Sequence, residues 1–455
     1  MKYLLLKMKI NGIKNIDKEI NIQFANATFN NIEECFQKSH VKAIYGTNGA
    51  GKTAIIQSIN LYKKIMILND YLALENANGG LKNIINQNSK KFSIELIFNC
   101  YDDKFEKKYN IYSHYICLEE KDGSFKIVEE TLKLLSGKNI NIDDKYKIIC
   151  HAQEGKIKEL NICNNENINN NIKMSTMNLL WNNSFIPSIL NNISNIIENR
   201  DDVDNLIHFI FVYGFSHELT IVFQDSDLNY IDFNSVSNQL DSIRKYQKNI
   251  KDNNTFQILL GSNMLLKQST RKILKKNYDN YEKSIKQLTT FIKVFKEELK
   301  NIDIKKDENG DFFECELILE YNDGRRINEK YESTGIKKIM YLYNALCDIE
   351  IGKIVFIDEF DSNIHDVLLM KLLEYVINYT EGQFIFTTHN LEPMEILKKQ
   401  SHAIDFLSTD SRITSWAKNG NYSPSKLYRK GLIAYSPFNI EPFSFLGVLG
   451  EAKDE

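Results

Sequence analysis

The stretch Gly46-Thr47-Asn48-Gly49-Ala50-Gly51-Lys52-Thr53 constrains this chain more than any other feature. It fits G-x-x-x-x-G-K-[ST] in full, between an apolar run at 41–45 and a stretch at 53–66 with helical periodicity. A strand that enters a glycine-rich loop and leaves as a helix is the geometry such a loop requires. Glycines let successive backbone N–H groups turn inward around a phosphate, and the helix N-terminus adds its dipole. In that pattern Lys52 is placed for the β and γ oxygens and the Thr53 hydroxyl for Mg²⁺, with Gly46, Asn48, Gly49 and Gly51 building the loop.

Two carboxylates supply the expected second half. Ile354-Val355-Phe356-Ile357 reads as a buried strand, and Asp358-Glu359 stands at its carboxyl end, where ligands of open α/β sheets bind. Asp358 is predicted to enter the Mg²⁺ shell, and Glu359 to accept a proton from the attacking water. A second apolar strand, 383–387, ends near His389. A lone histidine is usually structural; at the end of this strand it is expected to sense the γ-phosphate. Glu332-Ser333-Thr334-Gly335 precedes a helix, so Ser333 taken alone is an N-cap. Gln87 is the candidate for a nucleotide-sensing glutamine, against the plainer reading of a loop residue.

The rest of the chain alternates. Strands are expected at 3–10, 20–24, 92–100, 107–117 and 125–132, with Asp122-Gly123 as a hairpin turn, giving an antiparallel meander. In 161–171 seven of eleven residues are asparagine, which reads as a solvated loop or an irregular crossing between helices. Residues 176–200 and 236–303 read as mainly helical, around a hairpin of 219–223 and 229–233 that flanks Asp225-Ser226-Asp227. A further hairpin, 312–321 with 326–331, turns at Asn322-Asp323-Gly324, and 334–350 and 366–379 read as helices. Apolar strands alternating with helices imply a largely parallel sheet covered on both faces.

Charge and cysteine usage exclude some classes. With 57 basic and 60 acidic residues among 455, the formal net charge of −3 rules out a uniformly basic nucleic-acid coat. The segment 241–300 is locally basic, with 14 Lys and Arg against 6 Asp and Glu. Seven scattered cysteines without a CxxC pair argue against a disulfide framework or zinc site, and reduced thiols imply a cytoplasmic setting. Lys7 and Lys9 interrupt the first apolar run before a signal peptide can form, and the longest other apolar run is too short to span a bilayer, so no membrane association is expected.

Together, GTNGAGKT, ESTG, IDEFDSNIH with His365, TTHN, the element IVEETL and the late Tyr428-Arg429-Lys430-Gly431 resemble the ABC-type ATPases of the RecF/SMC/OLD branch. The likeness extends to stand-alone bacterial ATPases of the RloA, AbiL and PARIS AriA kind and covers roughly 1–135 and 310–435. It implies an α/β fold, an ABC-type P-loop ATPase head with a mixed sheet and an antiparallel β subdomain, interrupted by a mainly helical insertion. The domains would be 1–135 with the phosphate loop, 136–310 as an arm or lid, and 311–455 with signature, carboxylates and His389. It further implies ATP and Mg²⁺ as cofactors and a homodimer sandwiching two nucleotides. Lys52, Thr53, Asp358, Glu359 and His389 of one chain would act with Ser333 and Gly335 of the other.

Members of this group act in anti-phage defence beside a separate effector, a Toprim nuclease, an RloB-like protein or a toxin. The alternative is a RecF/SMC-like ATPase of DNA repair that grips nucleic acid through 241–300, and a third reading is a slow nucleotide-binding scaffold. No nuclease centre is expected in the chain, because the stretch after His389 is too short for a Toprim domain and Asp225-Ser226-Asp227 reads as a polar turn.

Overall fold

The computed structural model describes residues 2–25, 28–29, 40–101, 109–137, 140–163, 165–192, 205–223, 271–400, 402–416 and 423–433. The chain divides into two compact units, one of 4–216 with 385–455 and one of 1–3 with 217–384.

The first unit carries a seven-stranded sheet. Its order runs Lys156–Leu160, Lys147–Gln153, Ser124–Gly137, Tyr109–Lys121, Lys91–Tyr101, Lys2–Asn11 and Ile20–Gln23. Neighbours from 91 to 160 pair antiparallel, the meander expected from the sequence but two strands wider. Phe92, Ile94, Leu96 and Phe98 alternate into the core as predicted. The hairpin turns at Asp122-Gly123 and Glu154-Gly155 place both residues at positive φ, the geometry whose twist matches paired strands. The added hairpin 147–160 escaped the sequence reading because lysine and glutamate dilute its alternation. A Cβ at Gly155 would lie 2.4 Å from Trp181 Nε1, so only glycine fits that turn.

The asparagine-rich stretch is helical in part. Asn165 caps the helix Glu166–Thr176 by accepting from the Asn167 N–H, and Ile172 and Thr176 bury its inner face. The same unit holds the strand Val41–Gly46, every residue of it buried, parallel to Ile404–Leu407, with Ile413–Ser415 antiparallel beyond. Out of Val41–Gly46 runs the phosphate loop and then the helix Lys52–Ile67, one residue longer at each end than expected.

In the second unit, Leu219–Val222 lies parallel to Ile354–Ile357. The first strand of the expected hairpin at 219–233 is thus present, while 229–233 and Asp225-Ser226-Asp227 fall outside the described residues. Four further strands, Arg271–Leu274, Leu299–Asn309, Phe312–Tyr321 and Arg326–Asn328, form an antiparallel sheet. The helix Tyr278–Phe295 packs Tyr281, Ile285, Leu288 and Ile292 against Leu317 and Leu319 of that sheet and Ile336 and Met340 of the helix Thr334–Glu350. The helix expected to reach residue 303 ends at Phe295, since Leu299 and Ile302 bury in strand register with Tyr321 and Leu319. Within 136–310 the described residues thus include strands as well as helices. Half of the basic segment, 241–270, lies outside them, and Lys275 and Lys286 pair with Glu308 and Glu282. Among the described residues no helix is long and apolar enough to cross a membrane.

Candidate functional site

The phosphate-loop half lies in the first unit. Gly49 and Gly51 take φ of +78° and +106°, left-handed backbone that L side chains rarely adopt. Lys52 is buried, and its ammonium donates to Gly46 O at 2.9 Å and Thr47 O at 3.2 Å. No side chain caps the N-terminus of Lys52–Ile67, and its first turn carries no acidic residue, so the positive end of the helix dipole and the Lys52 charge lie together. The buried Thr47 hydroxyl has no hydrogen-bond partner among the described residues. These features fit an anion with several oxygens, as a nucleotide's phosphates are.

The loop is braced by a turn that the sequence did not single out. Asn15 Nδ2 donates to Gly49 O at 2.6 Å, and Asn15 Oδ1 and Ile16 crowd the space where a Cβ of Gly51 would sit. His389, exposed, follows the strand Gln383–Thr387, whose exit is tied to the loop's own strand by the Thr388 N–H donating to Ile44 O. The Thr388 hydroxyl accepts from the Asn390 N–H at 3.0 Å, shaping the turn that presents His389.

The carboxylate half belongs to the second unit. Asp358 is 4% exposed, with its N–H donating to Val222 O at 2.9 Å, which anchors it at the end of the paired strands. Glu359 is part-exposed and sits at φ +47°. Its carbonyl accepts from the Ser362 N–H at 3.1 Å and Ser362 Oγ at 2.9 Å, closing a tight turn. His365 caps the helix Asp366–Tyr379 through Nδ1, which accepts from the Val367 N–H at 3.3 Å.

Ser333 and Gly335 are in this unit too. Ser333 is exposed and caps Thr334–Glu350, its Oγ accepting from the Ile336 N–H at 3.4 Å, so the N-cap reading is met and the bond is long. Glu332 is buried, accepting from Tyr321 OH at 2.6 Å and from the Ser333 N–H at 3.1 Å, which fixes the backbone just ahead of the helix. The structure therefore brings Ser333 and Gly335 to the same unit as Asp358 and Glu359. Gly46, Asn48, Gly49, Gly51, Lys52 and Thr53 gather with His389 in the other. Gln87 is exposed in the turn after Asn86, and it is Asn86 that makes the bonds there, to Lys14 O and from the Asn88 and Ser89 N–H groups.

The profile of a protein family described as "AAA domain, putative AbiEii toxin, Type IV TA system" matches residues 187–395, a little under half of the chain. The matched stretch holds Ser333, Gly335, Asp358, Glu359 and His389; the phosphate loop precedes it. No curated protein matches the chain. Among solved structures, the Smc head domain of Pyrococcus furiosus bound to the C-terminal domain of ScpA is 11% identical over 91% of this chain and 96% of that one, with a TM-score of 0.40. The Smc head domain of Pyrococcus yayanosii with a coiled coil and joint is likewise 11% identical, over 91% of this chain and 98% of that one, with a TM-score of 0.41. The family match supports an ATPase of the AAA type over the stretch that carries the two carboxylates.

Proposed function

We propose that the chain binds and hydrolyses ATP with Mg²⁺, and that ATP-dependent dimerisation lets it control a separate effector in anti-phage defence. The observation that carries the nucleotide reading is the phosphate loop, in which glycines at positive φ, a buried lysine and an uncapped helix start converge. In this reading Lys52 and the backbone N–H groups of the loop would take up phosphate charge, and Thr53 and Asp358 would hold Mg²⁺, which would supply charge neutralisation at the phosphate oxygens. Glu359 takes the proton of the water that attacks the γ-phosphorus, while the bond to the bridging oxygen breaks to give ADP and phosphate. His389 reads the γ-phosphate, and Ser333 and Gly335 complete the nucleotide site of a second copy. The family description's mention of a toxin–antitoxin system supports a defence setting.

Glu359→Gln tests the cycle, since it keeps the binding groups and removes the base. With ATP and Mg²⁺ the variant should bind nucleotide, turn over at least ~100-fold more slowly, and run as a dimer by light scattering. A variant that binds ATP yet stays monomeric at every concentration would refute the sandwich. Loss of phage protection in Glu359→Gln cells, scored by plaque counts, tests the defence role separately.

A further inference from the structure

Lys338 stands five residues after Ser333 and is buried in the helix Thr334–Glu350, yet no reading of the nucleotide motifs includes it. Its ammonium donates to Glu359 O at 3.1 Å and lies 3.5 Å from Asp358 O. One turn earlier on the same helix, Gly335 packs against the same loop: a Cβ there would lie 3.3 Å from Asn363 O. The start of this helix thus touches the carboxylate turn through both Lys338 and Gly335.

We propose that Lys338 is a positioning residue for Glu359. A glutamate at φ +47° is in a strained conformation that persists only where its surroundings impose it. The donors to the Glu359 carbonyl include Lys338, which comes from another element, and Ser362, which supplies local bonds. Fixing that carbonyl fixes the direction in which the Glu359 side chain leaves the strand end. Because Lys338 rides on the helix that Ser333 and Gly335 begin, a shift of that helix start is passed to the base, so that turnover answers to what engages Ser333. The inference rests on the ATPase reading above.

The test compares full-length wild type with Lys338→Met, Lys338→Gln and Lys338→Arg. Lys338→Met should lower kcat by about tenfold or more, part of what a general base supplies, and leave KM for ATP within about twofold. Lys338→Arg, which can donate to the same carbonyls, should recover most of the rate, and Lys338→Gln should fall between. Hydrogen exchange should quicken at 359–363 in Lys338→Met, stay unchanged in Lys52–Ile67, and return to wild type with arginine. A Lys338→Met enzyme with unchanged kcat, or with kcat and KM moving together, overturns the proposal. If Lys338→Met does not fold, a Lys338→Gln enzyme as fast as wild type does the same. Should wild type show no ATP hydrolysis, the ATPase reading falls, while exchange at 359–363 still decides whether Lys338 holds the turn.

Discussion

Gly51 shows how one missing methyl group is tied to ligand binding. At φ +106° its backbone suits glycine, and a Cβ would stand 3.0 Å from Asn15 Oδ1 and 3.1 Å from Ile16 Cγ1. Gly51→Ala therefore meets left-handed strain of ~1–2 kcal/mol and pushes on Asn15, which bonds Gly49 O. ATP affinity should fall by about tenfold, since 1.4 kcal/mol is a factor of ten. Gly49→Ala, with nothing within 4 Å of its Cβ, should lose less. Titration of both variants with a fluorescent ATP analogue checks this, and equal affinities would show that Asn15 is not a brace. The loop glycines, Lys52 and the paired carboxylates were legible in the sequence because spacing alone defines them. Asn15 and Lys338 were not, because their partners lie far along the chain and nothing in a linear reading separates them from other polar surface residues.

At the scale of elements, turns were the most readable signals and weakly patterned strands the least. Asp122-Gly123 marked its hairpin outright. The strands Lys147–Gln153 and Leu299–Asn309 were hidden because charged residues occupy their solvent face and its margins, and Glu166–Thr176 because asparagine counts against a helix until Asn165 is seen to cap it. Tertiary partners decide such cases, and Glu130 is the clearest. It is buried on Ser124–Gly137, where Oε1 accepts from Ser184 Oγ at 2.5 Å and pairs with His114 Nε2 at 3.0 Å, and Oε2 accepts from the Phe185 N–H at 2.9 Å. With Nε2 donating, His114 Nδ1 accepts from Tyr62 OH at 2.8 Å, and Tyr62 belongs to the phosphate-loop helix. One carboxylate thus joins the meander, the start of Phe185–Asn192 and Lys52–Ile67. Glu130→Ala leaves buried donors unpaired and should cost ~3 kcal/mol or more, whereas Glu130→Gln, which keeps an acceptor, should cost less. Chemical denaturation of the two variants measures it; a loss under ~1 kcal/mol for alanine would mean that water takes over the bonds.

Across the whole molecule, the strand that delivers the phosphate loop depends on residues from the far end of the chain. Val41–Gly46 pairs with Ile404–Leu407, and Lys42 Nζ meets Asp405 Oδ2 at 2.5 Å with both side chains almost wholly buried. Burial pulls the Lys42 pKa down and Asp405 opposes it, so the ammonium depends on that carboxylate for its charge. Asp405 also accepts from Ser415 Oγ at 2.6 Å, which ties in the next strand. A near-neutral composition gave no hint of this pair, because nothing in a linear reading separates a buried lysine from a solvated one. Removing one partner strands the other charge: Asp405→Ala should cost ~3–5 kcal/mol and, by loosening the strand under Gly46, weaken ATP binding as well. Replacing both, as Lys42→Met with Asp405→Leu, removes the stranded charge and should recover most of the stability, because apolar side chains of similar volume can replace a buried pair. Thermal melts of the single and double variants at one pH decide between the two costs. If the double variant is no better than Asp405→Ala, the pair matters for strand register more than for its charge, and Ser415→Ala should then weaken the protein to a similar degree.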